Sequence, residues 1–326
     1  MLTDMDNRMP QGAETSYDVV IVGGGAAGLS AAVALGRSRR SVVVIDAGEP
    51  RNAPAAGVHN LLTRDGMSPL ELTRVGREEA RSYGAVVRER TTAIGARRDD
   101  AGFVVDLADG SRVRGKRMLV TTGLIDALPE VPGLAERWGR DVIHCPYCHG
   151  WEVRDEAIGI LGTGPAAMHQ TLMFRQLSQD VTLFVHTAQP PDAEQAEQLA
   201  ARGIRVVTGE VASVSVANDE LDGVVMADGS RHPLRALVVA PSFRARGEIL
   251  VQLGLEVTET PMGTVVESDA MGQTAVPGVW AAGNVTDLSA QVVSSAAAGL
   301  AAGASINADL IAADTRAAVE VYRASR

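Results

Sequence analysis

The chain has 326 residues, 46% of them apolar, a formal net charge of −10 and a sequence pI near 5.1. That length exceeds one typical domain and predicts two compact units. The acidic balance excludes nucleic acid and an anionic membrane surface as natural partners.

The first segment, Met1 to Ser16, is polar and carries Asp4, Asp6 and Glu14, so it does not read as a signal peptide and a cytoplasmic setting is expected. Tyr17 to Val22 is a continuous apolar strand that runs into Gly23-Gly24-Gly25-Ala26-Ala27-Gly28. A small-residue helix from Leu29 to Arg37 follows, then a strand from Ser41 to Ile45 ending at Asp46. Strand, G-x-G-x-x-G, helix, strand and acid together form the dinucleotide fingerprint, with the acid 18 residues after the last glycine. Gly23 permits the tight turn, and Gly25 lets the backbone approach a pyrophosphate. Gly28 lets the helix sit on the sheet, and Ala26 and Ala27 place their amides at its N-terminus. Asp46 is the candidate for a ribose hydroxyl pair. The bland alternative is an ordinary glycine turn.

Met118 to Gly123 is a further apolar strand with a small-residue exit at Thr122 and Gly123. The only two cysteines come next, in His144-Cys145-Pro146-Tyr147-Cys148-His149. Two thiols so spaced can close a small ring, or one can attack while the other resolves. A structural disulfide, a zinc site and incidental buried thiols compete with this redox reading. The first stabilises little across so short a loop, and the second lacks a further Cys/His pair. No metal site is expected. Either flanking histidine is a candidate base or a mere hydrogen-bonding partner of the loop; Tyr147 reads as a spacer.

The nucleotide pattern then recurs. Ala157 to Leu161 leads into Gly162-Thr163-Gly164-Pro165-Ala166-Ala167, a helix to about Leu177 and a strand from Val181 to Val185. Here the acid or arginines expected after the second strand are replaced by His186-Thr187-Ala188-Gln189-Pro190-Pro191, so no arginine awaits an NADPH 2′-phosphate. Val238 to Ser242 reads as the counterpart of the 118–123 strand. Val276 to Asn284 reads as a strand ending in a glycine turn at Gly283, and the Ala-rich run from Val292 to Ala313 as a buried helix rather than a membrane span. The expected architecture is α/β with two Rossmann-like, three-layer nucleotide-binding domains. The second, 118–245, is inserted in the first, 1–117 with 246–326.

In this order the motifs resemble the low-molecular-weight thioredoxin reductase family over nearly the whole chain. The resemblance rests on a flavin glycine motif, the T-T-G strand end, CxxC ahead of a second glycine motif, and P-G-V-W-A-A-G-N. It implies bound FAD and a homodimer. It also implies flavin contacts at Arg51, Asn60, Asn284 (where the family carries aspartate) and the helix start Gln291-Val292-Val293. Two departures stand out: the missing basic residues after the second strand, and His149 where the reductases usually carry an aspartate. C-P-Y-C-H-G-W-E-V-R with a degraded nicotinamide site resembles the dithiol oxidases of that superfamily, which close the disulfides of natural products such as holomycin, gliotoxin and romidepsin. The bacterial holomycin type stands nearest.

The resemblance implies that a small-molecule dithiol, deprotonated by His144 or His149, attacks the Cys145–Cys148 disulfide. The electrons would pass through Cys148 to FAD and on to molecular oxygen, giving hydrogen peroxide. The alternatives are an NAD(P)H-dependent thioredoxin-disulfide reductase and a non-catalytic flavin redox sensor.

Overall fold

The structure is a computed structural model that describes residues 15–326; the polar start before Thr15 lies outside the described residues. Two compact units divide the chain: residues 15–51 with Leu70–Ile125 and Arg244–Arg326, and Asn52–Pro69 with Asp126–Phe243.

The first unit is built on β1 (Thr15–Val22), β2 (Val42–Asp46), β3 (Val86–Glu89), β4 (Ala93–Asp99), β5 (Gly102–Leu107) and β6 (Arg112–Val120). They form one sheet in the order β3-β2-β1-β6-β5-β4, parallel from β3 to β6 and antiparallel beyond. The strands β1 and β2 read as unbroken apolar runs because the sheet is covered on both faces. Alternation sends Val20 and Val22 to a core with Val105, Met118 and Phe103, and Val19 and Ile21 to a core with Leu29, Leu35 and Trp280. The helices of this unit are α1 (Ala26–Arg37) and α2 (Pro69–Ser82), which follow β1 and precede β3 respectively.

The second unit carries β8 (Val142–Ile143), α3 (Pro146–His149), β9 (Ile158–Leu161), α4 (Ala166–Phe174), β10 (Val181–Phe184), α5 (Ala193–Ala201), β11 (Arg205–Val207) and β15 (Ala236–Val238). Its parallel sheet runs β11-β10-β9-β15-β8. Thus β15 pairs with β9 as β6 pairs with β1, the repeat legible in the two glycine motifs. An antiparallel sheet of β12 (Val211–Ala217), β13 (Glu220–Met226) and β14 (Arg231–Pro233) completes the unit.

The chain passes between the units within β7 (Leu124–Ala127) and β16 (Ser242–Ala245), which stand in a sheet ordered β17-β18-β16-β7. After β16 come α6 (Glu248–Gln252), β17 (Val257–Thr260), β18 (Gly263–Val266), β19 (Val279–Ala281) and α7 (Val292–Ala324). β19 returns to the first sheet and pairs in parallel with β6.

The division differs from the sequence reading in three places, one of them only the pair Arg244 and Ala245, which fall in the first unit. Residues 118–125 belong to the first unit, because β6 hydrogen-bonds along β1 for its whole length. The segment Asn52–Pro69 groups instead with the second unit. The C-terminal helix also departs from a wholly buried one. It is 33 residues long, its buried residues lie on one face from Ser295 to Leu310, and residues 314–326 are exposed. From Ser295 to Gly303 that face is made of small residues for a geometric reason. A Cβ on Gly299 would lie 2.0 Å from the Ala27 carbonyl oxygen of α1, so the two helix backbones touch where any side chain would part them.

Candidate active site

In the first glycine loop each glycine has a separate task. Gly23 has φ +112°, and a Cβ there would strike the Thr121 carbonyl oxygen at 2.3 Å. A Cβ on Gly28 would overlap the Gly23 carbonyl oxygen at 1.9 Å. Gly24, between the expected positions, leaves room for the Asp46 carboxylate, which a Cβ would meet at 2.4 Å. Around Gly25 the space is open: its Cβ would meet nothing within 4 Å. Gly25 is also the N-cap of α1 and supplies no side-chain cap, so the first-turn amides of a 12-residue helix face that open space. Open space, unpaired amides and the positive helix end suit a pyrophosphate. Asp46 closes the loop at the end of β2, where it is largely buried. One oxygen accepts from the Gly48 amide at 3.1 Å and the other lies 3.4 Å from Arg77.

The remaining expected flavin contacts fall into distinct places. Gly283 has φ +81° and brings the exit of β19 against Ala27 of α1. Next to it, Asn284 donates to the Asp287 and Ala290 carbonyls, both at 2.9 Å, and accepts from Arg51 at 3.4 Å. Its amide therefore shapes the turn ahead of α7, and an aspartate could not make the same two donations. Gln291 is the N-cap of α7 and, like Gly25, makes no side-chain cap, while Val292 and Val293 form the first turn. Thr122 donates to the Arg246 carbonyl at 2.6 Å, and Gly123 accepts from the Arg246 amide at 3.0 Å. The hydroxyl that holds the glycine loop belongs to Thr121, which donates to the Gly23 carbonyl at 2.8 Å. Sequence reasoning missed Thr121 and Gly24; strand alternation past Val120 could have separated the two threonines. Asn60 stands in the second unit, where its side-chain amide donates to the Tyr147 carbonyl at 2.6 Å.

The second glycine loop keeps its shape but not its ribose end. Gly164 faces open space, and Pro165 begins α4 without a side-chain cap. Beyond β10, however, Thr187 and Ala188 both donate to the Gly162 carbonyl, at 3.1 and 3.0 Å, and fold the turn onto the loop. His186 takes φ +48° and its Nδ1 accepts from the Val211 amide at 3.1 Å. Burial lowers the proton affinity of His186, with Glu210 opposing weakly, so the ring is held neutral by both its hydrogen bond and its surroundings. It does not replace the absent arginine as a cation. On the neighbouring strand, Arg205 is engaged by Asp180 and Thr182.

The cysteines sit on a single helical turn. Cys145 is the N-cap of α3, and its carbonyl accepts from the Cys148 and His149 amides at 3.2 and 3.1 Å. Gly150 ends the turn where a Cβ would meet the Pro146 carbonyl oxygen at 2.2 Å. Both cysteines are half-buried. Among the described residues no group of three or more His, Cys, Asp or Glu is arranged to hold a metal ion.

The two flanking histidines differ. His144 is built into the unit: Nδ1 lies 3.0 Å from the Val239 carbonyl oxygen, Gln170 reaches it at 3.2 Å, and its ring meets Phe243 edge-on at 5.4 Å. His149 has a buried Nε2 with no hydrogen-bond partner. Native interiors seldom leave such an atom unsatisfied without a functional reason. Burial pushes His149 below the ordinary histidine range; the Glu152 charge opposes this and His59 adds to it. At neutral pH it is therefore an unprotonated base directly after Cys148.

A family model described as pyridine nucleotide-disulphide oxidoreductase matches residues 17–303. The curated "Thioredoxin reductase sirT" of Leptosphaeria maculans is 32% identical over 318 residues, spanning 92% of this chain and 96% of the relative. Among solved structures, that of HlmI is 41% identical with a TM-score of 0.88, covering 97% of this chain and 98% of the other. An oxidoreductase from Agrobacterium tumefaciens is 36% identical with a TM-score of 0.85, covering 91% and 99%.

Proposed function

Since the chain belongs to the pyridine nucleotide-disulphide oxidoreductase family of flavoproteins and is an oxidoreductase acting on sulfur groups, we propose that it is an FAD-dependent dithiol oxidase. Its substrate is a small-molecule dithiol of natural-product type, and the product is the intramolecular disulfide. Molecular oxygen is the final acceptor and leaves as hydrogen peroxide.

The observation that carries the direction of electron flow is the turn at residues 186–188. Where a nicotinamide nucleotide would need charge recognition, the chain offers a neutral His186 and a turn folded onto Gly162. On this reading the donor is the thiol side. His149 takes the proton of one substrate thiol on Nε2, and the thiolate attacks Cys145 of the Cys145–Cys148 disulfide. The sulfur–sulfur bond of the enzyme breaks, Cys148 leaves as thiolate, and a substrate–Cys145 mixed disulfide forms. The second substrate thiol displaces Cys145, so two protons and two electrons have left the substrate and two enzyme thiols are reduced. Bound FAD, held by the Gly23–Gly28 loop, Asp46 and the α1 N-terminus, would accept those two electrons and give them to oxygen. The homodimer is part of the same proposal.

A second reading, a thioredoxin-disulfide reductase driven by NAD(P)H, has in its favour the printed name of the Leptosphaeria relative and the open space at Gly164. Oxygen consumption with a small dithiol and no pyridine nucleotide, followed across pH, separates the two. Turnover is expected without nucleotide and is lost on the acid side, below the ordinary histidine range, as His149 becomes protonated. His149→Ala is expected to lower turnover by about 100-fold, the lower end for loss of a general base, and to flatten that acid limb. An unchanged limb assigns the proton to another group, and strict dependence on NADPH contradicts the oxidase.

A further inference from the structure

The carbonyls of the C-P-Y-C turn find their donors in two different ways. Cys145 accepts from the Cys148 and His149 amides, and Pro146 accepts from the Gly150 amide at 2.9 Å. A helix that ran on would offer the next carbonyl, that of Tyr147, the Trp151 amide. α3 stops at His149, and the side-chain amide of Asn60 donates to the Tyr147 carbonyl at 2.6 Å. Asn60 lies 87 residues earlier in the chain, on the segment Asn52–Pro69 that groups with the cysteines in one unit. Its partner is a carbonyl, so only the NH2 end of its side chain can face it. The loop that presents it is closed. Val58 and Met67 form a bridge, the Gly66 amide donates to the Val58 carbonyl at 2.8 Å, and the Asn60 backbone amide donates to Asp65 at 2.9 Å. Asn60 itself takes φ +60°, a left-handed conformation that asparagine tolerates better than most residues.

We propose that Asn60 is a positioning residue for the Cys145–Cys148 pair: by holding the Tyr147 carbonyl it keeps Cys148 within closing reach of Cys145, and so sets how readily the pair oxidises. The peptide group between Tyr147 and Cys148 is tied at both ends. Its oxygen accepts from Asn60, and its N–H donates to the Cys145 carbonyl at 3.2 Å. A peptide is a rigid plane, so pinning both ends fixes the place of the Cys148 Cα. Ring closure needs the two Cα atoms about 4.4–6.8 Å apart, and a turn already held there loses less freedom when the sulfurs join. The proposal rests on the redox use of this pair and not on the direction of electron flow. It is also separate from the flavin contact that the family resemblance implies for Asn60.

The property can be read with glutathione. Glutathione disulfide and the enzyme dithiol give the enzyme disulfide and two glutathione thiols: one sulfur–sulfur bond breaks and one forms, two electrons leave the cysteines, and their two protons end on glutathione. The flavin-loaded protein is equilibrated without oxygen or dithiol substrate at set glutathione ratios, and its thiols are trapped by alkylation and counted by mass. Asn60→Gly removes the donor while glycine adopts the same backbone conformation without strain. Asn60→Asp keeps the size and the tolerance of that conformation but turns an acceptor towards an acceptor. The equilibrium constant for oxidation of the pair is expected to fall by about 5-fold in Asn60→Gly, the worth of one net hydrogen bond, and at least as far in Asn60→Asp. A constant unchanged in both variants, or raised in either, overturns the proposal. A fall in Asn60→Gly with none in Asn60→Asp also overturns it, because the donor would then not be what matters. Altered flavin affinity with an unchanged glutathione constant makes Asn60 a flavin contact instead and overturns it too. Should Asn60→Gly loosen the loop, seen as a lower melting temperature, Asn60→Asp alone decides. Oxygen uptake with a dithiol reads the direction of electron flow separately, so the two readings fail independently.

Discussion

Cys145→Ser and Cys148→Ser are each expected to lose essentially all dithiol oxidation while the protein keeps its fold and its bound flavin. Both residues lie on a four-residue turn, half-buried, and backbone bonds to the Cys145 carbonyl and the close packing at Gly150 hold the turn. Serine keeps those backbone bonds and removes the thiol chemistry. Without Cys145 there is no partner for the mixed disulfide, and without Cys148 there is no leaving thiolate and no second electron carrier. The flavin absorbance of either purified variant and oxygen uptake with a dithiol check this together. Retained turnover in either one contradicts the relay, and loss of flavin would mean that the turn also serves the cofactor.

Gly25→Val and Gly28→Val are expected to separate the cofactor from the fold. The Cβ of residue 25 meets nothing of the protein within 4 Å, so valine there intrudes only on the open space before the α1 amides. Losing two charge-assisted hydrogen bonds costs about 3 kcal/mol or more, which weakens flavin binding by on the order of 100-fold. The thermal transition of the flavin-free protein should be unchanged. At residue 28 the same substitution overlaps the Gly23 carbonyl at 1.9 Å and the Thr121 hydroxyl oxygen at 2.7 Å, so fold and flavin fail together. Overpacking of this kind costs typically about 1–3 kcal/mol, and backbone overlap belongs at the upper end. Flavin content and the melting temperature of the stripped proteins check the pair. Full flavin binding by Gly25→Val contradicts the assignment of the pyrophosphate site.

How far the sequence reaches follows from what is local. The strands β1, β2, β9 and β10 and both glycine turns were legible because a doubly covered strand is an unbroken apolar run and a nucleotide turn has fixed glycine spacing. The pairing of β6 with β1 is not local, so residues 118–125 could not be assigned to the first unit from their own pattern. The same holds for Asn52–Pro69, whose partners Tyr147 and Glu152 lie over 80 residues away. No spacing rule links Asn60 to Tyr147, which is why that bond escaped notice. Nor could the sequence rank His144 against His149, since the difference lies in Val239, Gln170 and Phe243 around one ring and in the unsatisfied nitrogen of the other. The helix α7 runs past Ala313 because residues such as Ala317, Ala318, Glu320 and Arg323 favour helix even where nothing covers them.

The direction of electron flow is tested most directly by an anaerobic titration of the flavin-loaded protein, watched by flavin absorbance. A small dithiol is expected to bleach the flavin in proportion to the amount added, and NADPH or NADH at the same concentration is expected to leave it oxidised. Rapid bleaching by stoichiometric NADPH, with none by dithiols, would show a reductase and contradict the account built on His186 and His149.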